Sequence, residues 1–263
     1  MNNRVRLTTD FRGVATVTLS RPHTHNAFDG CMVDELTSAF ETTMANPSAR
    51  VMILAAEGKT FSAGADLAWM KRMGEYSYIE NLKDAKNLAK MLKTLHEMPL
   101  PTIARIQGPA FGGALGLISC CDIAIAATKA SFAFSEVKIG LIPATISPYI
   151  IEAMGSRAAR RYFMTGEKFE AQQAVDLGLI NEAVEETQLD NTIAQLITTL
   201  LENSPTAMHS AKQLVQDIGN RSINDELIKE TCERIADIRQ SKEGQEGLSA
   251  FLEKRKPHWR QDN

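Results

Sequence analysis

Two loops rich in glycine and alanine carry no nucleophile, yet each could present bare backbone to a ligand. They are GKTFSAGADLAWM at 58–70 and GPAFGGALG at 108–116. In the first, Ser62, Ala63, Gly64 and Ala65 are small, and Asp66 stands where a helix can begin. In the second, Gly112 and Gly113 directly precede an apolar helix expected from about Ala114. N–H groups at a helix start lack internal partners and sit at the positive end of the helix dipole. They suit an anion, or a carbonyl oxygen that is gaining negative charge. Taken singly, each loop also reads as a tight turn. As a pair after neighbouring strands, they could aim one N–H each at the same oxygen.

Other chemistry finds little support in the residues. His23 and His25 form a His-x-His pair with no cysteine or further histidine close in sequence, which reads as a loop feature rather than a metal site. Cys31, Cys120, Cys121 and Cys232 show no CxxC pairing, and the adjacent pair sits in an apolar run, as inert buried thiols do. That usage suits a reduced, cytoplasmic protein. No serine, histidine and acid arrangement stands out, and GPAFGGALG lacks the glycine spacing and the following acid of a dinucleotide fingerprint.

The elements that must position the loops follow from hydrophobic period. VATVTLS at 14–20 alternates like a half-buried strand, whereas VMILAA at 51–56 is a continuous apolar run suited to a strand covered on both faces. Further strands are expected from Thr102 and over 122–127, with helices over 31–44 and 76–98, the latter ended by Pro99 and Pro101. Alternating strands and helices indicate an α/β fold with a largely parallel sheet. After about Ser147 the pattern is helical, with one strand at most, in GLINEAV. No low-complexity linker interrupts the chain, so residues 1–200 read as a core domain and 201–263 as a helical region packed on it or on a neighbouring subunit.

The chain has 263 residues and a formal net charge of −3, with no basic cluster of the kind that phosphate backbones require, so nucleic acid is an unexpected partner. No apolar run approaches membrane-spanning length and MNNRVRLTTD lacks a signal-peptide core, so neither a membrane nor secretion is expected. The sequon Asn220-Arg221-Ser222 is accordingly expected to be silent.

FSAGADL, PTIARIQGPAFGGALGL, CCDIAIAATKASFAFSEVKIGLIP and the closing GLSAFLEKRKPHW, in that order, resemble the crotonase superfamily of acyl-CoA enzymes over essentially the full chain. The resemblance implies a crotonase-like spiral of ββα units with a C-terminal helical trimerisation region, and a homotrimer or a homohexamer. It places the N–H groups of Ala65 and Gly113 around a thioester carbonyl oxygen. It assigns the adenine-binding loop to Ser62, Ala63, Gly64, Ala65 and Asp66, and it matches Phe251 and Lys254 to positions that contact the CoA of an adjacent subunit. Arg21 or His25 would face CoA phosphates. Coenzyme A enters as part of the substrate; no prosthetic group and no metal are implied.

Hydratases of this superfamily commonly use two glutamates. The second falls on Glu136, between apolar runs, where burial would raise its pKa toward the range useful for proton transfer. The first falls on Gly116. Asp122, Asp66 and Glu152 offer no convincing substitute; Asp122 reads as a structural cap or pair, and Asp66 as a loop-holding residue. The combination AFGGALGL, SEVKIGLIPATISPYI, RAARRYFMTGE and GQEGLSAFLEKRKPHW most resembles bacterial methylglutaconyl-CoA hydratases of leucine breakdown and isohexenylglutaconyl-CoA hydratases of terpene breakdown. Their substrates carry a second carboxylate, and a glutamate within ~4 Å of it would be repelled by roughly 4 kcal/mol at an effective dielectric of about 20. Gly116 is therefore expected to leave room for that group, with Gly112 and Gly113 beside it and Arg157, Arg160 or Arg161 as candidate counter-cations. Water addition to a carboxylated enoyl-CoA is the leading expectation. General enoyl-CoA hydration, isomerisation by a single glutamate, and a non-catalytic CoA-ester- or RNA-binding role are the alternatives.

Overall fold

The computed structural model describes residues 4–219 and 221–260, so Asn220 of the sequon lies outside them. In chain order, Val5–Thr9 (β1) and Val14–Leu19 (β2) precede Gly30–Ala45 (α1) and Val51–Ala56 (β3). Leu67–Met73 (α2) and Tyr78–His96 (α3) lead to Thr102–Ile106 (β4), Ala110–Phe111 (β5) and Gly113–Ser119 (α4). Ile123–Ala127 (β6), Ser131–Ala133 (β7), Ser147–Thr165 (α5), Phe169–Glu170 (β8), Ala171–Asp176 (α6) and Glu182–Val184 (β9) follow. Leu189–Leu201 (α7), Pro205–Ile218 (α8), Asp225–Gln240 (α9) and Lys242–Leu252 (α10) close the chain.

The main sheet runs β1-β2-β3-β4-β6-β9, antiparallel only in the first pair. Side-chain alternation feeds two cores. Ala15, Val17 and Leu19 of β2, and Met52, Leu54 and Ala56 of β3, face the larger core under α1, α3, α4 and α5. Val14, Val51, Ile53 and Ala55 face the smaller one, covered by Leu189, Ile193 and Ile197 of α7. Coverage on both faces is why β3 reads as an unbroken apolar run. The expected strands appear as β2, β3, β4 and β6, and β9 lies within GLINEAV.

A second, small sheet, β5-β7-β8, was not foreseen. Its strands of two or three residues are too short to show a period. It matters because it carries the second glycine loop, and the Ser62–Ala110 bridge ties the first loop to it.

The C-terminal helices behave differently. In α8, α9 and α10 the buried residues are Leu227 and Ala250, while Val215, Ile228, Ile235, Leu248, Phe251 and Leu252 are exposed. No helix among the described residues is long and apolar enough to cross a membrane.

Candidate active site

The first loop is held from within. Asn26, fully buried at a φ of +52°, donates through Nδ2 to the carbonyls of Glu57 (2.8 Å) and Thr60 (2.9 Å). The Ser62 hydroxyl donates to the Asn26 carbonyl (2.8 Å) and accepts from the Gly64 N–H (3.2 Å). Phe28 pairs across the loop, donating to the Gly64 carbonyl and accepting from the Asp66 N–H, both at 2.7 Å. That register skips Ala65, whose N–H donates to no protein acceptor among the described residues. The Asp66 side chain then caps α2, accepting from the N–H groups of Ala68 and Trp69.

The second loop is fixed by the small sheet. The Phe111 N–H donates to the Ser62 carbonyl and the Gly112 N–H to the Ala133 carbonyl, both at 3.0 Å. Gly112 takes a φ of +54°, and a Cβ placed there would lie 3.2 Å from Oε1 of Glu136, so the chain needs a glycine for two separate reasons. Gly113 opens α4, and its N–H also has no protein acceptor among the described residues.

Glu136 begins a 3-10 turn, Glu136–Ile139, two residues after Phe134, the buried residue that follows β7. Its side chain is largely withdrawn from water, and Oε2 is buried without a hydrogen-bond partner. Desolvation pushes the carboxyl above the usual glutamate value, opposed by a hydrogen bond from its own backbone N–H.

Ala65, Gly113 and Glu136 line one cavity of about 580 Å³. Its walls are mostly apolar, with Trp69, Met73 and Leu88 on one side and Leu141, Ile142 and Ile146 on the other. The sequence reading missed Asp84, an acid on the same wall. Its signal was available: Asn81, Asp84, Ala85 and Leu88 recur at helical spacing on α3, and all four face the cavity.

Several expectations need correction. Gly116 does not open onto the cavity. It is buried on α4, and a Cβ there would lie 2.4 Å from Cγ2 of Ile146 and 3.3 Å from Cδ2 of Leu92. Ile146, 3 % exposed, fills the space expected to receive an acyl carboxylate. In the adenine-loop assignment, Ser62 and Gly64 are buried with the serine hydroxyl fully engaged, which leaves Ala63, Ala65 and part of Asp66 accessible. Arg157, Arg160 and Arg161 are exposed and absent from the cavity wall, and Arg161 pairs with Glu167 (2.7 Å).

Other residues singled out from the sequence have definite surroundings. Phe251 and Lys254 are exposed at the end of α10, away from the cavity wall. Arg21, a candidate for facing CoA phosphates, is instead engaged by Asp29 (3.0 Å) and Asp66 (3.7 Å) and braces the first loop, while Nδ1 of His25 meets the Thr60 hydroxyl (3.0 Å). Asp122 is structural, accepting from the N–H and hydroxyl of Thr102 and from Lys212 (2.9 Å). The thiols of Cys120 and Cys121 are pushed up by burial and so are inert. Among the described residues, no group of histidine, cysteine and acidic side chains could hold a metal ion.

Comparison with known proteins bears on this geometry. The enoyl-CoA hydratase/isomerase family model matches residues 10–262. An enoyl-CoA hydratase structure from Shewanella pealeana is 47% identical with a TM-score of 0.95, covering 98% of this chain and 96% of that one. An enoyl-CoA isomerase/hydratase of Mycosarcoma maydis is 33% identical over 94% of this chain and 93% of its own length. A hydroxycinnamoyl-CoA hydratase-lyase of Pseudomonas fluorescens is also 33% identical, over 76% of this chain and 74% of its own. With the α/β crotonase-like fold, two unpartnered loop amides and a buried glutamate in one cavity, the chain belongs to the enoyl-CoA hydratase/isomerase family.

Proposed function

We propose that this protein adds water across the α,β double bond of a 2-enoyl-CoA thioester, with Glu136 as its acid and base. The observation that carries the reading is the placement of two free N–H groups, of Ala65 and Gly113, and the Glu136 carboxyl in a single cavity. The thioester oxygen accepts both hydrogen bonds. This polarises the conjugated double bond and stabilises the enolate that forms, each donor contributing about 3 kcal/mol to the barrier reduction. Ionised Glu136 takes a proton from water as the oxygen bonds to the β carbon. The same carboxyl then returns that proton to the α carbon as the enolate collapses. Hydroxyl and hydrogen are both accounted for, and no prosthetic group takes part.

For the acyl group, the sequence resemblance brings forward 3-methylglutaconyl-CoA, an intermediate of leucine catabolism, with isohexenylglutaconyl-CoA as the variant. The cavity sets a condition on both. Its lining holds Glu136 and Asp84 and no lysine, arginine or histidine, so a free acyl carboxylate must point out to solvent rather than rest in the cavity. Isomerisation is the second reading. It is favoured by the packing of Ile146 against Gly116, which leaves Glu136 as the one carboxyl beside the two amides. In that reaction Glu136 takes a proton from the α carbon and returns it at the γ carbon.

Purified protein offered crotonyl-, 3-methylglutaconyl- and isohexenylglutaconyl-CoA, and matched 3-enoyl thioesters, tests the reading by product mass. Gain of one water from the 2-enoyl substrates is expected. Double-bond migration alone overturns hydration. The same reading expects a cytoplasmic homotrimer or homohexamer, supported by the uncovered apolar residues of α8–α10, and sedimentation measures it.

A further inference from the structure

The cavity wall carries a group that hydration does not use. Helix α3 works as a ruler along the wall. Leu92 packs at the level of Gly116, and Leu88, Ala85, Asp84 and Asn81 follow toward the helix start. At 1.5 Å per residue, the step from Leu92 to Asp84 is about 12 Å along the axis, so Asp84 stands on the part of the wall away from Gly116, with Asn81 a turn further on.

Trp69, on α2 one turn beyond Ala65 and 6 % exposed, lines the same cavity as Asp84. Asp84 itself is half-buried, and no cation lines the cavity to compensate it. Burial pushes its carboxyl above the usual aspartate value, and the Asp34 carboxylate acts in the same direction. With the thioester carbonyl held at Ala65 and Gly113, the stretch beyond Glu136 receives the acyl group.

Resting on the reading that the site takes 2-enoyl-CoA thioesters, we propose that Asp84 is a specificity-determining residue that admits short acyl groups and turns away long apolar tails. A long tail is accepted only where its far end brings a hydrogen-bond donor. A methylene chain laid against this carboxylate would strip its remaining water and return no hydrogen bond. A terminal hydroxyl would replace that water. Short chains stop before Asp84 and are indifferent to it.

The test compares crotonyl-CoA, trans-2-octenoyl-CoA and its terminally hydroxylated analogue on wild type, Asp84→Leu and Asp84→Asn. The asparagine variant keeps the shape and one acceptor oxygen. Asp84→Leu is expected to raise kcat/KM for octenoyl-CoA about tenfold, lower it for the hydroxylated analogue by a similar factor, and change crotonyl-CoA least of the three. Asp84→Asn moves the octenoyl-to-crotonyl ratio in the same direction. A ratio equal to wild type in both variants overturns the proposal. Calorimetric binding of the saturated analogues butyryl- and octanoyl-CoA separates the two readings. If the variants tighten octanoyl-CoA binding but no thioester is hydrated by wild type, hydration fails and Asp84 stands. Hydration without any such shift refutes the role of Asp84.

Discussion

Glu136 and Asp84 occupy one cavity, and the chain has built their surroundings by different means. Glu136 stands in a tight turn placed by the small sheet, with Oε1 close to the backbone of Gly112 and Oε2 sealed from water. Asp84 projects from the face of a long helix and shares the cavity wall with Trp69. The first environment is made by backbone geometry and cannot move without rebuilding two loops. The second is made by side chains on α2 and α3, and single substitutions can retune it. Chemistry is tied to the rigid end and substrate choice to the adaptable one.

The largest expected effect separates the two ends. Glu136→Gln should lower kcat for hydration by about 10² to 10⁴, because it removes the carboxyl that shares the cavity with the two loop amides while keeping shape. Asp84→Asn should lower crotonyl-CoA turnover far less than Glu136→Gln does. Equal losses in steady-state assays would erase the distinction.

Next comes Gly116→Glu. Ile146 leaves no room for even a Cβ, so this change should destabilise the fold by about 1–3 kcal/mol in urea unfolding, and Ile146→Ala in the same chain should recover part of that loss. A stable single variant with raised activity would contradict the packing found here.

A pair of glycines gives a smaller and sharper contrast. Gly112 and Gly140 both have positive φ, at +54° and +77°, but only a Cβ at Gly112 meets a neighbour, the Glu136 carboxyl. Alanine at either position should cost about 1 kcal/mol of backbone strain. Only Gly112→Ala should also depress kcat with KM little changed.

The smallest effect is in pH dependence. In the proposed hydration Glu136 acts first as a base, so kcat/KM should rise with pH through a value above the ordinary glutamate value near 4.5. In that window the native protein holds a proton that the unfolded chain has released. Stability therefore falls as pH rises through it, and Glu136→Gln should abolish this component of the denaturation curve. If the activity profile turned over at or below the ordinary value, the buried environment of Glu136 would be disproved.

Much of the frame was legible in sequence because it depends on local pattern. The apolar run at 51–56 suits a strand covered on both faces, and it is one. Small residues next to an incipient helix marked both loops, and the amides of Ala65 and Gly113 are free where those loops meet the cavity. The short strands β5, β7 and β8 could not be read, since two or three residues show no period and gain their pairing only from distant partners. Gly116 misled for a related reason. A missing side chain says that something is close or that something is absent, and the sequence does not distinguish the two.

By itself, then, the amino-acid order determined the strand and helix frame, the side-chain-free loops and the apolar setting of Glu136, because propensity, periodicity and glycine's freedom act over a few residues. Tertiary structure decided that Ile146, thirty positions away, occupies the gap above Gly116, and that Asp84 turns into the cavity under Trp69. Burial and desolvation are set by whichever segments pack together, and those contacts join parts of the chain that no local pattern relates.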